Sequence, residues 1–172
     1  MENYTFNQHR HNYAVWTAAR AVQRGFTGSK TINIKNIIES SNLKQFAEDN
    51  LNYTREAYKQ FHIECSEQLM IDFGNISVNQ ELSYGRAAKI IAIYLKTSVI
   101  LCGNGECSKS KIIHPPIDNI LLIQLSNNGL GNLKKIKWTQ LNKKKYWSVA
   151  SQIEDYFGKL DWTLEKYWSP ER

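Results

Sequence analysis

One stretch constrains the fold more than any other. From Tyr84 to about Leu101, Ala87, Ala88, Ile90, Ile91, Ala92, Ile93, Tyr94, Leu95, Val99 and Ile100 leave little polar surface on any side. A helix that is apolar on most faces has to lie among other helices, and Ser83 ahead of it is a suitable N-cap. Lys96 interrupts the run, which is far shorter than the roughly 20 residues of a membrane span, so it reads as a central core helix. Its β-branched end, Thr97-Ser98-Val99-Ile100, could equally leave the helix as extended chain.

The rest of the sequence supplies partners for that helix. From His9 to Arg24 the residues Tyr13, Trp16, Ala19 and Val22 recur at intervals of three, with Ala14, Ala18 and Ala21 between them, which predicts an amphipathic helix with a closely packing face ended by Gly25 and Thr27-Gly28-Ser29. Thr31 can cap a short helix carrying Ile34, Ile37 and Ile38, and another follows near Leu43 to Asp49. Thr54 starts a long helix striped by Tyr58, Phe61, Cys65 and Leu69 through about Ile71, with Gly74 and Asn75 as its stop.

Beyond the polar loop Gly103–Lys111, Pro116 suits the first turn of a helix running to about Leu125. Lys134 to Trp138 reads as a short strand or an exposed connector. Thr139 or Asn142 starts a helix with Tyr146, Val149, Ile153 and Tyr156 on one face, ended by Gly158. Asp161 caps a last helix with Trp162, Leu164, Tyr167 and Trp168, and Ser169-Pro170 closes the chain. The expected fold is all-α, a single compact multi-helix domain over residues 1–172. At this length such a domain buries most of its unfolded surface.

Twenty-two Lys and Arg against 16 Asp and Glu give a net charge of +6, which favours anionic partners, nucleic acid first among them. The N-terminus lacks the apolar core of an export signal, and Cys65, Cys102 and Cys107 form an odd set without a CxxC pair. A cytoplasmic protein with free thiols and no membrane association is expected. His9 and His11 diverge on a helix, so no metal is expected, and no motif calls for a cofactor: there is no P-loop, GxGxxG, GxSxG or HExxH.

Within the central helix, Lys89 and Lys96 lie within about 20° of one another and Arg86 within about 80° of both. They form a basic stripe. The helix N-terminus at Ser83-Tyr84-Gly85 offers amides and a partial positive charge to a phosphate, and Gly85 allows close approach. A solvated helix edge accounts for the stripe equally well.

The pattern Tyr84-Gly85-Arg86-Ala87-Ala88-Lys89, an apolar helix, then Pro116-Ile117-Asp118 opening another helix, resembles the helix-hairpin-helix superfamily of DNA glycosylases, over about residues 83–122. The resemblance implies a helix-hairpin-helix-like element in which Gly85 and the adjacent amides hold a DNA phosphate; Tyr84, Arg86 and Lys96 on the same helix, and His114 near Asp118, are the further candidates for contact with DNA. It implies Asp118 as the catalytic carboxylate acting on a flipped damaged or modified base, with Lys89 as the candidate for a nucleophile. Cleaving a base from deoxyribose builds positive charge at the sugar, which a carboxylate stabilises, after the nucleotide has left the stack.

This sequence departs from the family pattern. The hairpin has one glycine where two are usual, Ala87 stands where bifunctional members carry their Schiff-base lysine, and Lys89 comes two residues later. Three options stay open: Lys89 reaches the site, Asp118 acts with water alone, or the chain is no glycosylase. A non-catalytic nucleic-acid-binding or accessory subunit and a helical protein-interaction domain are the alternatives.

Asp118 also fits a plain helix cap, and His114 an incidental loop histidine. Arg20 and Arg24, four apart, and the run Lys134, Lys135, Lys137, Lys143, Lys144 and Lys145 are further phosphate candidates that read as well as solvated surface. Trp16, Trp147, Trp162 and Trp168 are assigned to the core.

Overall fold

A computed structural model describes residues 3–23, 26, 29–77 and 80–168. Among these every regular element is helical: α1 (Phe6–Gln23), α2 (Thr31–Ser40), α3 (Leu43–Glu48), α4 (Arg55–Ile76), α5 (Tyr84–Leu95), α6 (Asn119–Asn127) and α7 (Lys143–Phe157), joined by shorter helical turns. They form one compact domain. None is long and apolar enough to cross a membrane.

Helix α5 lies at the centre, as its apolar surround requires. Ala87, Ile90, Ile91, Tyr94 and Leu95 join a core with α1, α2 and α4, while Tyr84 and Ala88 join a second core with α6 and α7. Two hydrophobic clusters thus share one rod. The helix does not end in extended chain. It widens into a π-helical turn, Lys96–Ile100, where the Thr97 hydroxyl donates to the Ile93 carbonyl at 2.9 Å and Ser98 to Tyr94 at 2.7 Å. Side-chain hydroxyls bonding back into the preceding turn loosen the regular ladder, and Leu101 N–H reaches five residues back to the Lys96 carbonyl.

Local capping chemistry sets several boundaries. Side-chain oxygens of Thr54, Ser83, Asn142 and Asp161 each accept an N–H from the first turn of the helix they precede. Gly158, at φ +70°, closes α7. Gly74 does not stop α4. It sits in the exposed last turn, and the helix runs on to Ile76. The last helix is a short 3₁₀ segment, Trp162–Tyr167.

Helix α1 departs most from its predicted face. It buries Ala14, Val15, Ala18, Ala19 and Val22, and leaves Tyr13 and Trp16 about half exposed. Small side chains let two backbones approach, and α1 packs closely along α5, so the alanines win the contact and the rings turn outward. The predicted stop at Gly25 and Thr27-Gly28 lies outside the described residues, as do Arg24 and Ser169-Pro170. On α7, Tyr146, Val149 and Ile153 are buried, but Tyr156 is exposed. Lys134 to Trp138 is no strand: two 3₁₀ turns, Leu133–Lys135 and Trp138–Gln140, occupy the region.

Candidate active-site cleft

The first turn of α5 is built for packing. The Gly85 N–H donates to the Leu141 carbonyl at 3.0 Å, the Arg86 N–H is capped by Ser83 Oγ at 3.2 Å, and the Ala87 N–H bonds to the Ser83 carbonyl. Three amides of the turn expected to hold a phosphate are therefore spent inside the fold. Gly85 is needed for another reason: a Cβ there would meet the Trp138 carbonyl oxygen at 2.0 Å. Its bare Cα lets the Trp138–Gln140 turn lie directly on the helix, which sets Trp138 against the basic side chains of α5.

Two other predicted phosphate contacts are also internal. Tyr84 is buried, its hydroxyl bonded to His62 Nδ1 at 3.1 Å and to Trp147 Nε1–H at 2.9 Å, and burial pushes its phenol up to about 12. Arg86 is buried too. Its guanidinium donates to the Val22 carbonyl at 2.7 Å, near the end of α1, and lies over the Phe26 ring at 4.3 Å. There it satisfies a carbonyl of the last turn, where a cation is favoured.

His114 is buried as well. Its Nδ1 pairs with the Tyr146 hydroxyl at 3.1 Å, its backbone N–H reaches the Tyr58 hydroxyl, and its ring packs near His62. Burial, with the nearby His62 and Arg55, holds this imidazole well below the usual histidine range. Burial alone lowers His62 to about 3. Both are neutral members of a buried ring cluster that includes Tyr58, Tyr84 and Tyr146. His114 lines a smaller cleft of about 240 Å³ with Arg55, Trp147 and Glu154.

Lys89 and Asp118 do meet. The lysine Nζ is 3.0 Å from Asp118 Oδ2, and each side chain is about nine-tenths shielded. Asp118 is the N-cap of α6, with Oδ1 accepting the Leu121 N–H at 3.1 Å. Pro116 lies two residues ahead of this cap, near the first helical turn and not within it. Both readings of this aspartate hold at once: one oxygen starts the helix, the other faces the lysine.

The pair lies in a cleft of about 520 Å³ whose other polar residues include Arg20, Lys96 and Glu165, with Trp138 and Trp168 as aromatic walls. Lys89 Nζ sits 4.5 Å from the centre of the Trp138 ring. Lys96 pairs with Glu165 and lies 5.7 Å from the Trp168 ring centre. Burial raises the Glu165 carboxyl, its bond to Lys96 opposes the rise, and the charge of Asp118 adds to it. Two ion pairs and two indoles thus share a half-enclosed space, a setting in which charge interactions are stronger than in water.

Glu165, Trp138 and Trp168 are the residues that sequence reasoning missed; Trp168, assigned to the core, walls the cleft instead. Glu165 arrives from a 3₁₀ segment almost seventy positions beyond Lys96 in the chain, and no local spacing signals it. Trp138 closes the lysine-rich 134–137 run, and a tryptophan set among lysines was the available hint. No cluster of three or more His, Cys, Asp or Glu suited to a metal ion occurs among the described residues, and the three cysteines are free thiols. Compared with protein-family models, curated proteins and solved structures, the chain matches none of them.

Proposed function

We propose that this chain acts on DNA as a base-excision N-glycosylase, with the Lys89–Asp118 cleft as its reaction site. The observation that carries the reading is the 3.0 Å approach of Lys89 Nζ to Asp118 Oδ2 inside a cleft roomy enough for a ring system and walled by indoles. In this reading α5 and the segment leading into it carry the helix-hairpin-helix-like element. The C1′–N bond of a flipped nucleotide breaks with its electron pair on the departing base, which takes up a proton. Asp118 stabilises the positive charge that builds at the sugar. The lysine ammonium supplies the proton that the departing base takes up, its nitrogen bonds to C1′, and the C1′–O4′ bond then breaks with its electron pair on O4′, which takes a second proton from that nitrogen and leaves a protonated imine.

The test is incubation with duplexes carrying a panel of modified bases, with and without borohydride. Base release that falls in Asp118→Asn, and a trapped protein–DNA adduct that disappears in Lys89→Gln, support the reading. No release from any duplex, with Asp118→Asn indistinguishable from the parent chain, overturns it.

A second reading, a nucleic-acid-binding or accessory subunit without turnover, is favoured by one observation: both oxygens of Asp118 already hold intramolecular partners, as a structural aspartate requires. It predicts salt-dependent DNA binding with no release of base.

A further inference from the structure

Helix α1 turns its alanines to α5 and presents a very different face to solvent. Phe6, His9, Tyr13, Trp16 and Arg20 fall within about 80° of one another around the helix axis, and all five are exposed. The three large rings stand 71%, 53% and 51% open, and Tyr13 and Trp16 lie almost parallel at 5.8 Å between centroids. Isolated exposed rings need no explanation. A row of them along roughly 15 Å of one helix marks a contact surface.

The end of the row identifies what it contacts. One turn beyond Trp16, Arg20 lines the same cleft as Lys89 and Asp118, so the aromatic row runs continuously into the candidate reaction site. Helix α1 contains no acidic residue, and the chain carries a net charge of +6. A row of flat apolar rings that ends in a guanidinium, on a helix without acidic residues, complements a polyanion that exposes flat π-faces. An unpaired nucleic-acid strand does so, whereas a duplex keeps its bases stacked inside.

We propose that the Phe6–Arg20 face of α1 is a stacking track for unpaired nucleotides, leading a strand into the Lys89–Asp118 cleft. This rests on the reading of that cleft as a nucleic-acid site. Bases lie on the outer faces of Tyr13 and Trp16, and Arg20 takes a phosphate at the cleft mouth.

The experiment uses the full chain and a fluorescein-labelled oligothymidine strand, with anisotropy read at about 50 and about 200 mM salt. Tyr13→Ala/Trp16→Ala should weaken binding roughly tenfold or more at both salts without altering the salt slope. Arg20→Gln should reduce that slope by about one, and Trp16→Phe should restore most of the affinity. Because the substituted side chains are exposed, the melting temperature should stay at the parent value.

Parent-like affinity of the double variant overturns the track. So does absence of strand binding at low salt, whether the face then proves to join two copies in sedimentation or to bind anionic vesicles. Strand binding through these rings with no base release from any duplex leaves the track and removes the glycosylase reading. Base release with an affinity indifferent to Tyr13 and Trp16 does the reverse.

Discussion

A methyl group on Gly85 would lie 2.0 Å from the carbonyl oxygen of Trp138. The obstacle is backbone, so something has to move. Gly85→Ala is expected to destabilise the protein by about 1–3 kcal/mol through overpacking, outweighing the better helix propensity of alanine. The same change at Gly74, which has open space around it on the exposed end of α4, should stabilise by about 0.5–1 kcal/mol. Urea midpoints of the two variants check the contrast, and equal shifts would refute the close approach.

Asp118 should be costly to remove and cheaper to blunt. Asp118→Ala loses the α6 cap, about 1 kcal/mol, and strands Lys89 in a shielded site, about 3–5 kcal/mol. Asp118→Asn keeps an oxygen for the Leu121 N–H and should cost less. Lys89→Met on its own leaves the carboxylate unpaired, and combining it with Asp118→Asn should recover much of the loss. A double-mutant cycle in denaturant gives the coupling; strictly additive effects would mean that the two groups do not act as a pair.

Stability should fall on mild acidification because His62 and His114 are buried as neutral rings. For His62 the folded value is about 3 against about 6.5 when unfolded, so the unfolded chain binds the extra proton between those limits. The contribution is full above pH 6.5 and declines as pH drops toward 3, at roughly 1 kcal/mol per pH unit for each imidazole in its own window. His114 shifts in the same direction. Urea midpoints at pH 7.5 and pH 5 test this, and His62→Phe should flatten the dependence. A profile that is level over that range would contradict neutral burial.

Lys109 is another buried cation with a defined task. Its Nζ donates to the carbonyls of Phe46 and Asp49 and to Asp49 Oδ1, tying the end of α3 to the 3₁₀ turn Ser108–Lys111. Lys109→Met should cost about 3 kcal/mol, seen as an earlier thermal transition, while Lys111→Met, on an exposed neighbour, should leave the transition in place.

Much of the fold was legible because its signals are local. The apolar surround of Tyr84 to Leu101 put α5 in the middle, and a serine, threonine, asparagine or aspartate before a helical run marked the caps at 54, 83, 142 and 161, though not at Thr31, which is already helical behind Lys30. Periodicity failed on α1, where two interleaved sets, Tyr13 with Trp16 and Ala14 with Ala18, fit one helical period. Closeness to α5 chose between them, and closeness is a tertiary quantity.

The site divides in the same way. Lys89 and Asp118 were named from the chain and the fold brings them together. Gly85 and Arg86 were named from the same pattern, yet both serve packing: a glycine that admits a phosphate also admits a neighbouring turn, and only the three-dimensional arrangement distinguishes the two. Tyr84 and His114 went inward because they belong to a ring cluster assembled from α4, α5, α7 and the segment before α6.

The divided duty of Asp118 bears on inheritance. One of its oxygens begins a helix and the other meets a lysine, so selection for folding alone would hold an oxygen acceptor at this position. Lys89 has no second duty of that kind on the backbone. Among diverging copies of this sequence, a lysine lost together with the charge of its partner, as in an asparagine at 118, would leave the helix start in place and remove the ion pair.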